Sequence, residues 1–184
     1  MFLFNPPEGD RSLFARSTAQ VTLTPVVRPL PSITYVNVSD SEEISKKGSF
    51  INKEEIRAMF KYLNIYPPHV PRYGIMSPFR KQAMEISDSH ERNWHWQGPK
   101  SDSLVKYVGS VEDFVSLNFH TALISFAKTE NAERDGGSLL NSPAMIDFIL
   151  SRVTNELVVF GREDSLTEAW NQAFKIPASK TIEI

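Results

Sequence analysis

Short apolar runs alternate with stretches of helical periodicity along most of the chain. Runs rich in Val, Ile, Phe and Tyr predict strands at 33–38, 73–77, 104–111, 119–126 and 156–161. Apolar residues at helical spacing predict helices after Asn52, from Pro78 to His90, from Asn141 to Val153 and from about Ser165 to Phe174. Nearly continuous apolar strands between amphipathic helices are typical of a mostly parallel sheet with helices on both faces. The pattern therefore predicts a three-layer α/β domain.

Two of the predicted helices carry clear start signals. Asn52 is a favoured N-cap residue, and Glu55 follows it three residues later, as in a capping box. Ser142 and Pro143 begin the third helix, because proline is favoured at the first helical position.

Residues 1–32 and 179–184 fall outside this alternation. The first segment holds five of the twelve prolines and no sustained periodicity, so we predict an irregular arm. We expect a single domain at 33–178 and a tail at 179–184, since 184 residues match the usual size of one domain.

Charge and composition exclude several classes of protein. The net charge of −2 argues against a protein that binds nucleic acid mainly by neutralising phosphates. The absence of cysteine excludes disulfides, thiolate nucleophiles and cysteine-ligated zinc. No run approaches the roughly 20 apolar residues of a membrane span, and the start does not resemble a signal peptide. We expect a cytoplasmic protein, including in ribonucleoprotein granules, with the nucleus as the alternative, and no membrane contact.

Motifs for nucleotide, acyl-transfer and metal chemistry are absent from the sequence. There is no Gly-x-x-x-x-Gly-Lys-Ser/Thr loop for phosphates, no apolar strand that ends in an Asp-Glu pair, and no pair of histidines at metal-ligand spacing. Glu112 and Asp113 could suggest a magnesium site, but adjacent acids are common in solvated loops and no third ligand completes the set. We therefore expect no enzymatic activity from this chain on its own, no cofactor and no bound metal.

Three sequence blocks nevertheless occur in an informative order: "GSFINKEEI" at 48–56, "GIMSPFRKQAMEI" at 74–86 and "VGSVEDF" at 108–114. They resemble the second RecA-like lobe of superfamily 1 RNA helicases of the Upf and Armitage type. The resemblance covers about residues 33–175. It implies a RecA-like, P-loop NTPase-like fold and a helicase lobe that stands here without its first lobe.

The departures from this family lie where the family contacts nucleotide. Its fifth motif continues Phe-Gln-Gly-x-Glu, but this chain has Val115, Ser116 and Asn118 at the changed positions. In its sixth motif the first Arg is replaced by Met145, whereas Arg152 remains at the arginine-finger position. The family's adenine-stacking Tyr-Arg-x-His element is not found in residues 1–32. The resemblance therefore implies a degenerate lobe.

Four apolar residues form the candidate binding patch: Val115, Leu117, Met145 and Phe148. In the family the corresponding surface faces the cleft between the lobes, and contiguous exposed apolar patches usually mark binding sites. The alternative is that residues 1–32 fold back and cover the patch.

Other candidates are remnants of nucleotide or RNA binding. Arg152 is either an arginine finger or a charge favoured by the C-terminus of its helix. Arg80 and Gln82 either touch an RNA backbone or lie on a solvated helix face. Trp94 and Trp96 either stack on a base or meet a protein partner, and the low net charge favours protein.

The leading hypothesis is a non-catalytic, helicase-like protein-interaction module in RNA metabolism. The resemblance points to small-RNA silencing of the piRNA type, with a protein partner in the former cleft and RNA as the weaker candidate ligand. One alternative is a lobe that completes an ATP-dependent RNA helicase with a first lobe in trans or in a longer parent chain. Another is a stand-alone RNA-binding domain.

Overall fold

The computed structural model describes residues 30–38, 43–46, 49–67, 72–93, 105–127, 142–162 and 180–183. A short 3-10 helix, Val111–Phe114, lies between the fifth and sixth strands. In chain order the other elements are β1 (Ser32–Asn37), β2 (Glu43–Lys46), β3 (Ser49–Asn52), α1 (Lys53–Ile65), β4 (Arg72–Ser77), α2 (Arg80–Asn93), β5 (Val105–Ser110), β6 (Phe119–Ser125), α3 (Pro143–Arg152), β7 (Val153–Gly161) and β8 (Lys180–Glu183).

Six strands form one sheet in the order β5-β4-β6-β7-β1-β8, and every neighbouring pair in it is parallel. The two remaining described strands, β2 and β3, form a separate antiparallel hairpin. Each face of the sheet carries its own hydrophobic core. Residues of α1 and α2, such as Met59 and Ile86, belong to one core, and residues of α3 and the 3-10 helix, such as Ile149 and Phe114, belong to the other. The predicted three-layer α/β architecture is confirmed.

Helix α1 begins where the cap signal predicts. The Asn52 side-chain oxygen accepts a hydrogen bond from the Glu55 backbone N–H at 3.1 Å, which satisfies one of the free donors of the first turn. Its buried apolar residues Ile56, Met59 and Leu63 recur at helical spacing and face the sheet.

Several element boundaries differ from the prediction, and two of these differences have a clear local cause. Helix α2 begins at Arg80 rather than at Pro78, since the Phe79 backbone N–H donates to the Ser77 hydroxyl at 3.2 Å and the Phe79 carbonyl accepts from Ala83. Strand β7 begins at Val153, three residues before the predicted start, because Val153 already pairs with Phe119 of β6.

Three strands and the 3-10 helix were not predicted from the sequence. The β2–β3 hairpin lies in a segment dominated by polar residues. The segment predicted as a tail, 179–184, contains β8, which extends the sheet beyond β1 in parallel register and places Ile182 against the core. The greater part of the predicted arm at 1–32 and the predicted helix at 165–174 lie outside the described residues.

Candidate functional site

Two residues of the predicted apolar patch, Val115 and Phe148, contact Arg152 at the end of α3. One terminal nitrogen of Arg152, Nη1, donates to the Val115 carbonyl oxygen at 3.0 Å. The guanidinium carbon lies 5.1 Å from the centroid of the Phe148 ring, within the range of a cation–π contact. These contacts join α3 to the segment after the 3-10 helix. We call this region the α3 surface; it consists of Val115, Leu117, Met145, Phe148 and Arg152.

The apolar members of the α3 surface differ in exposure. Val115 is 63% exposed and projects into solvent. Leu117, Met145 and Phe148 are half-buried and pack against the core between α3 and the sheet. The α3 surface therefore has one exposed aliphatic side chain, Val115, and three half-buried apolar side chains that pack against the core.

Ser151, which was not among the sequence candidates, helps to hold the arginine. Its hydroxyl donates to the Phe148 carbonyl at 2.7 Å and accepts from Arg152 Nε at 3.2 Å. Within the part of the chain that the structure describes, no carboxylate forms an ion pair with Arg152. The guanidinium has five N–H donors, so several remain after these two bonds. Arg152 is fixed in orientation and keeps donors for a ligand.

A second polar constellation lies at the carboxyl edge of the sheet. Four fully buried side chains, which we call the buried polar network, hydrogen-bond to one another: Asn52, Glu55, Gln82 and Ser125. One Glu55 carboxylate oxygen accepts from the Ser125 hydroxyl at 2.6 Å and from the Ala127 backbone N–H at 2.9 Å. The other oxygen accepts from the Asn52 side-chain amide at 3.1 Å. Every one of these contacts satisfies a polar group removed from water.

Gln82, a candidate for nucleotide or RNA contact, belongs to this network. Its amide oxygen accepts from the Asn52 backbone N–H at 2.8 Å. Its amide nitrogen donates to the Asn52 carbonyl at 3.1 Å and to the Ser125 hydroxyl at 2.8 Å. The side chain is fully buried, and its amide links the start of α1 to β6. The geometry gives Gln82 a structural role in place of the predicted ligand contact.

The buried polar network lies near the ends of β4 and β6, where the connections between strands run in opposite directions along the sheet. After β4 the chain crosses to β5 through α2 on one face of the sheet, and after β6 it crosses to β7 through α3 on the other face. Open α/β sheets commonly bind ligands in the crevice at such a switch point, outside the carboxyl ends of the strands. Here Ser125, at the end of β6, bonds to Gln82 and Glu55 instead. The protein's own side chains fill this part of the crevice.

Arg80, the remaining basic candidate, is exposed at the first residue of α2 and lies near an acidic group. The Asp113 carboxylate accepts from the Ser110 hydroxyl at 2.7 Å and from the Ser110 backbone N–H at 2.8 Å. These bonds, helped by the positive charge of Arg80, hold the pKa of Asp113 below its usual range. A Cβ on Gly109 would lie 2.9 Å from Asp113 Oδ2, so glycine gives this carboxylate its room. An anionic ligand at Arg80 would meet the negative charge of Asp113.

Other sequence candidates have limited structural description. Trp94 and Trp96 lie outside the described residues. Across the described ranges, no three His, Asp or Glu side chains are grouped as metal ligands. No helix in those ranges is long and apolar enough to cross a membrane.

Comparison with solved structures supports the fold. The chain is similar to the C-terminal domain of a possible DNA helicase from Lactobacillus plantarum WCFS1, with a TM-score of 0.50 and 11% sequence identity over 84% of this chain and 86% of that one. At this identity the similarity shows the fold alone, and it agrees with the predicted RecA-like α/β architecture. No curated protein sequence matches the chain. A family model described as an AAA domain matches residues 10–164, which is more than half of the sequence, and the protein therefore belongs to this AAA_12 family.

Proposed function

We propose that the protein is a non-catalytic, helicase-like module that binds a protein partner through the α3 surface. We further propose that it acts in RNA metabolism, in small-RNA silencing of the piRNA type, and in the cytoplasm, including ribonucleoprotein granules. The sequence resemblance to superfamily 1 RNA helicases of the Upf and Armitage type supports this context. The partner would occupy the surface that faces the cleft between lobes in those helicases.

The observation that carries the proposal is the assembly of the α3 surface itself. Arg152 contacts both Val115, which is 63% exposed, and the half-buried Phe148. Protein interfaces combine an apolar centre with aromatic and arginine side chains in this way. A partner that covers this apolar area would gain about 25 cal/mol of binding free energy for each Å² removed from water.

The loss of nucleotide-type groups supports the non-catalytic part of the proposal. Val115 and Asn118 stand where the resemblance places a glutamine and a glutamate, and the sequence has no phosphate-binding loop. Replacement of the glutamine and the glutamate is expected once nucleotide binding is no longer required.

Replacing Val115 with aspartate is expected to remove the partner. A carboxylate at this position would be desolvated against an apolar contact, which should weaken binding at least about 10-fold. The measurement is affinity purification with mass spectrometry from the native cell type, comparing the wild type with Val115→Asp and Phe148→Asp. Circular dichroism establishes that each variant folds, and Val115→Asp is the safer variant because its side chain is mostly exposed.

Met84→Asp provides the matched control. Met84 is 59% exposed on α2, whose core residues pack on the opposite face of the sheet from α3. It changes an exposed apolar residue to the same acid, away from the α3 surface. A partner that is lost with Val115→Asp and kept with Met84→Asp supports the proposal. Recovery of the same proteins with all variants would contradict it.

A second candidate function is a lobe that completes an ATP-dependent helicase with a first lobe in trans or in a longer parent chain. Membership of the AAA domain family and the partial exposure of Arg152 favour it. In this case Arg152→Ala should lower ATP hydrolysis by a reconstituted pair of lobes by about 10³-fold or more, as for other arginine fingers. Unchanged hydrolysis in that pair would exclude this function.

A stand-alone RNA-binding domain is less well supported. Arg80, its main candidate contact among the described residues, lies near Asp113, and the net charge of the chain is −2. Binding of this type would weaken steeply with salt. Absence of RNA binding at low salt would remove it.

A further inference from the structure

We infer that the partner presents a carboxylate to Arg152 and, next to it, an apolar side chain to Val115. This inference rests on the proposed function, because it names the chemistry of the partner that the α3 surface binds. The occupant is a protein segment in which an Asp or Glu lies close to an aliphatic or aromatic residue.

The orientation of Arg152 is already fixed before a partner binds. Nη1 is bonded to the Val115 carbonyl, Nε to the Ser151 hydroxyl, and the guanidinium lies 5.1 Å from the Phe148 ring centroid. An arginine held in this way loses little side-chain entropy when it binds a ligand. These contacts hold the planar guanidinium, and with it the remaining N–H groups, in one orientation.

The charge of Arg152 has no partner within the described part of the chain. The ion pairs found there are Arg57–Glu54 and Arg92–Glu85, both on other helices. Arg152 is also partly removed from solvent. A guanidinium with free N–H donors is complementary to a carboxylate, which it can bind through two parallel hydrogen bonds.

The surroundings favour a single carboxylate on a protein over the phosphates of RNA or a nucleotide. Val115, Met145 and Phe148 offer apolar contact that a polyanionic backbone cannot use. Arg152 is the only cation of the α3 surface, too few to hold a chain of phosphates.

Selection from a phage-displayed peptide library tests the inference, and the selected peptides serve as the probes. Random 12-residue peptides on phage are selected on the immobilised 184-residue chain, and enriched peptides are synthesised for calorimetry. We expect enriched sequences to pair an Asp or Glu with a nearby aliphatic or aromatic residue. Arg152→Gln should weaken their binding at least about 10-fold, as should amidation of the peptide's acid to Asn or Gln. The two changes together should weaken binding little more than either alone, since they remove the same contact.

Arg57→Gln is the matched control, because Arg57 is an exposed arginine on α1 away from the α3 surface. It should leave peptide affinity unchanged, and circular dichroism should show the same fold for both variants. Peptides whose binding depends on Val115→Asp but not on Arg152→Gln would overturn the inference and leave the proposed function standing. Peptides that depend on neither variant would overturn both.

Two further outcomes count against the inference, and the second of them also counts against the proposed function. A selection that enriches no acidic peptide removes the carboxylate partner. Binding of a fluorescent oligouridine or of an ATP analogue that is lost with Arg152→Gln would assign the arginine to phosphate instead. The inference holds only when acidic peptides bind and depend on Arg152, and when neither oligouridine nor the ATP analogue binds through Arg152.

Discussion

Replacing Glu55 with alanine is expected to destabilise the protein by about 3–5 kcal/mol, because it leaves buried donors unpaired. The Ser125 hydroxyl, the Ala127 backbone N–H and the Asn52 side-chain amide all donate to this carboxylate. Each buried donor without a partner costs about 1–3 kcal/mol. Since the whole free energy of unfolding of a domain is about 5–15 kcal/mol, the loss is a large fraction of the total.

Urea unfolding followed by circular dichroism measures this effect as a change in the free energy of unfolding. Glu54→Ala is the control, since Glu54 is the preceding residue of α1 and pairs with the exposed Arg57. Loss of such a surface pair should cost no more than about 1 kcal/mol. If both substitutions lowered the free energy of unfolding by the same amount, the Glu55 hydrogen bonds would contribute no more to stability than a surface ion pair does.

Replacing Gly74 with alanine is expected to destabilise the protein by about 1–3 kcal/mol through overpacking. A Cβ at this position would lie 3.0 Å from two carbons of the Phe119 ring and 3.1 Å from a third. The ring cannot move freely, because it is buried between Phe114 at 5.1 Å and Tyr107 at 5.8 Å between ring centroids. The substitution should therefore shift the aromatic cluster under the segment that leads to Val115.

Thermal and urea unfolding both report this change, and Gly161→Ala is its control. A Cβ on Gly161 would meet Phe126 at 3.6 Å, an ordinary van der Waals distance. We expect Gly161→Ala to stay within about 1 kcal/mol of the wild type, as substitutions without a named clash usually do. If Gly74→Ala were as stable as Gly161→Ala, the Phe119 ring would be able to move away from the added methyl group, and the overpacking argument would be wrong.

Features encoded by neighbouring residues were predictable from the sequence. The cap of α1 requires only Asn52 and Glu55, three residues apart, so its position was predicted correctly. The central strands were predictable because both of their faces are buried, which makes them apolar throughout. Element order and the layer architecture followed from these local signals.

The role of the buried polar residues could not be predicted in the same way. Gln82 looks like a solvent-facing residue in the polar first turn of a helix. Its partners Asn52 and Ser125 are 30 and 43 residues away in sequence, so its burial depends on the completed fold. Glu55 similarly bonds to Ser125 and Ala127, which are 70 and 72 residues away. Local patterns cannot distinguish such a group from a surface one.

Short strands with mixed polarity were the other features that the sequence did not reveal. β2, with the sequence EISK, and β8, with the sequence KTIE, each contain one apolar residue. Four residues are too few to show alternation, and pairing rather than composition defines these strands. β8 exists because β1 offers it a free edge.

The four apolar residues of the α3 surface were predicted as a patch from sequence resemblance rather than from periodicity, and Arg152 was a separate candidate. Val115 and Arg152 are 37 residues apart, and only the fold brings the arginine to the Val115 carbonyl. The structure also adds the contact between Arg152 and Ser151 and the partial burial of Phe148. The orientation of the Arg152 side chain could not be predicted from the sequence.

The place of β1 in the sheet has a consequence for synthesis on the ribosome. β1 pairs on one side with β7 and on the other with β8, the last two described strands of the chain. Ser32 and Asn155, which hydrogen-bond across the first of these pairs, are separated by 123 residues. At about 5–20 residues per second, β1 would wait about 6–25 seconds after emerging before its first sheet partner is made. During that interval both edges of a β-branched strand are open, so the nascent chain should depend on chaperones more than its modest size suggests.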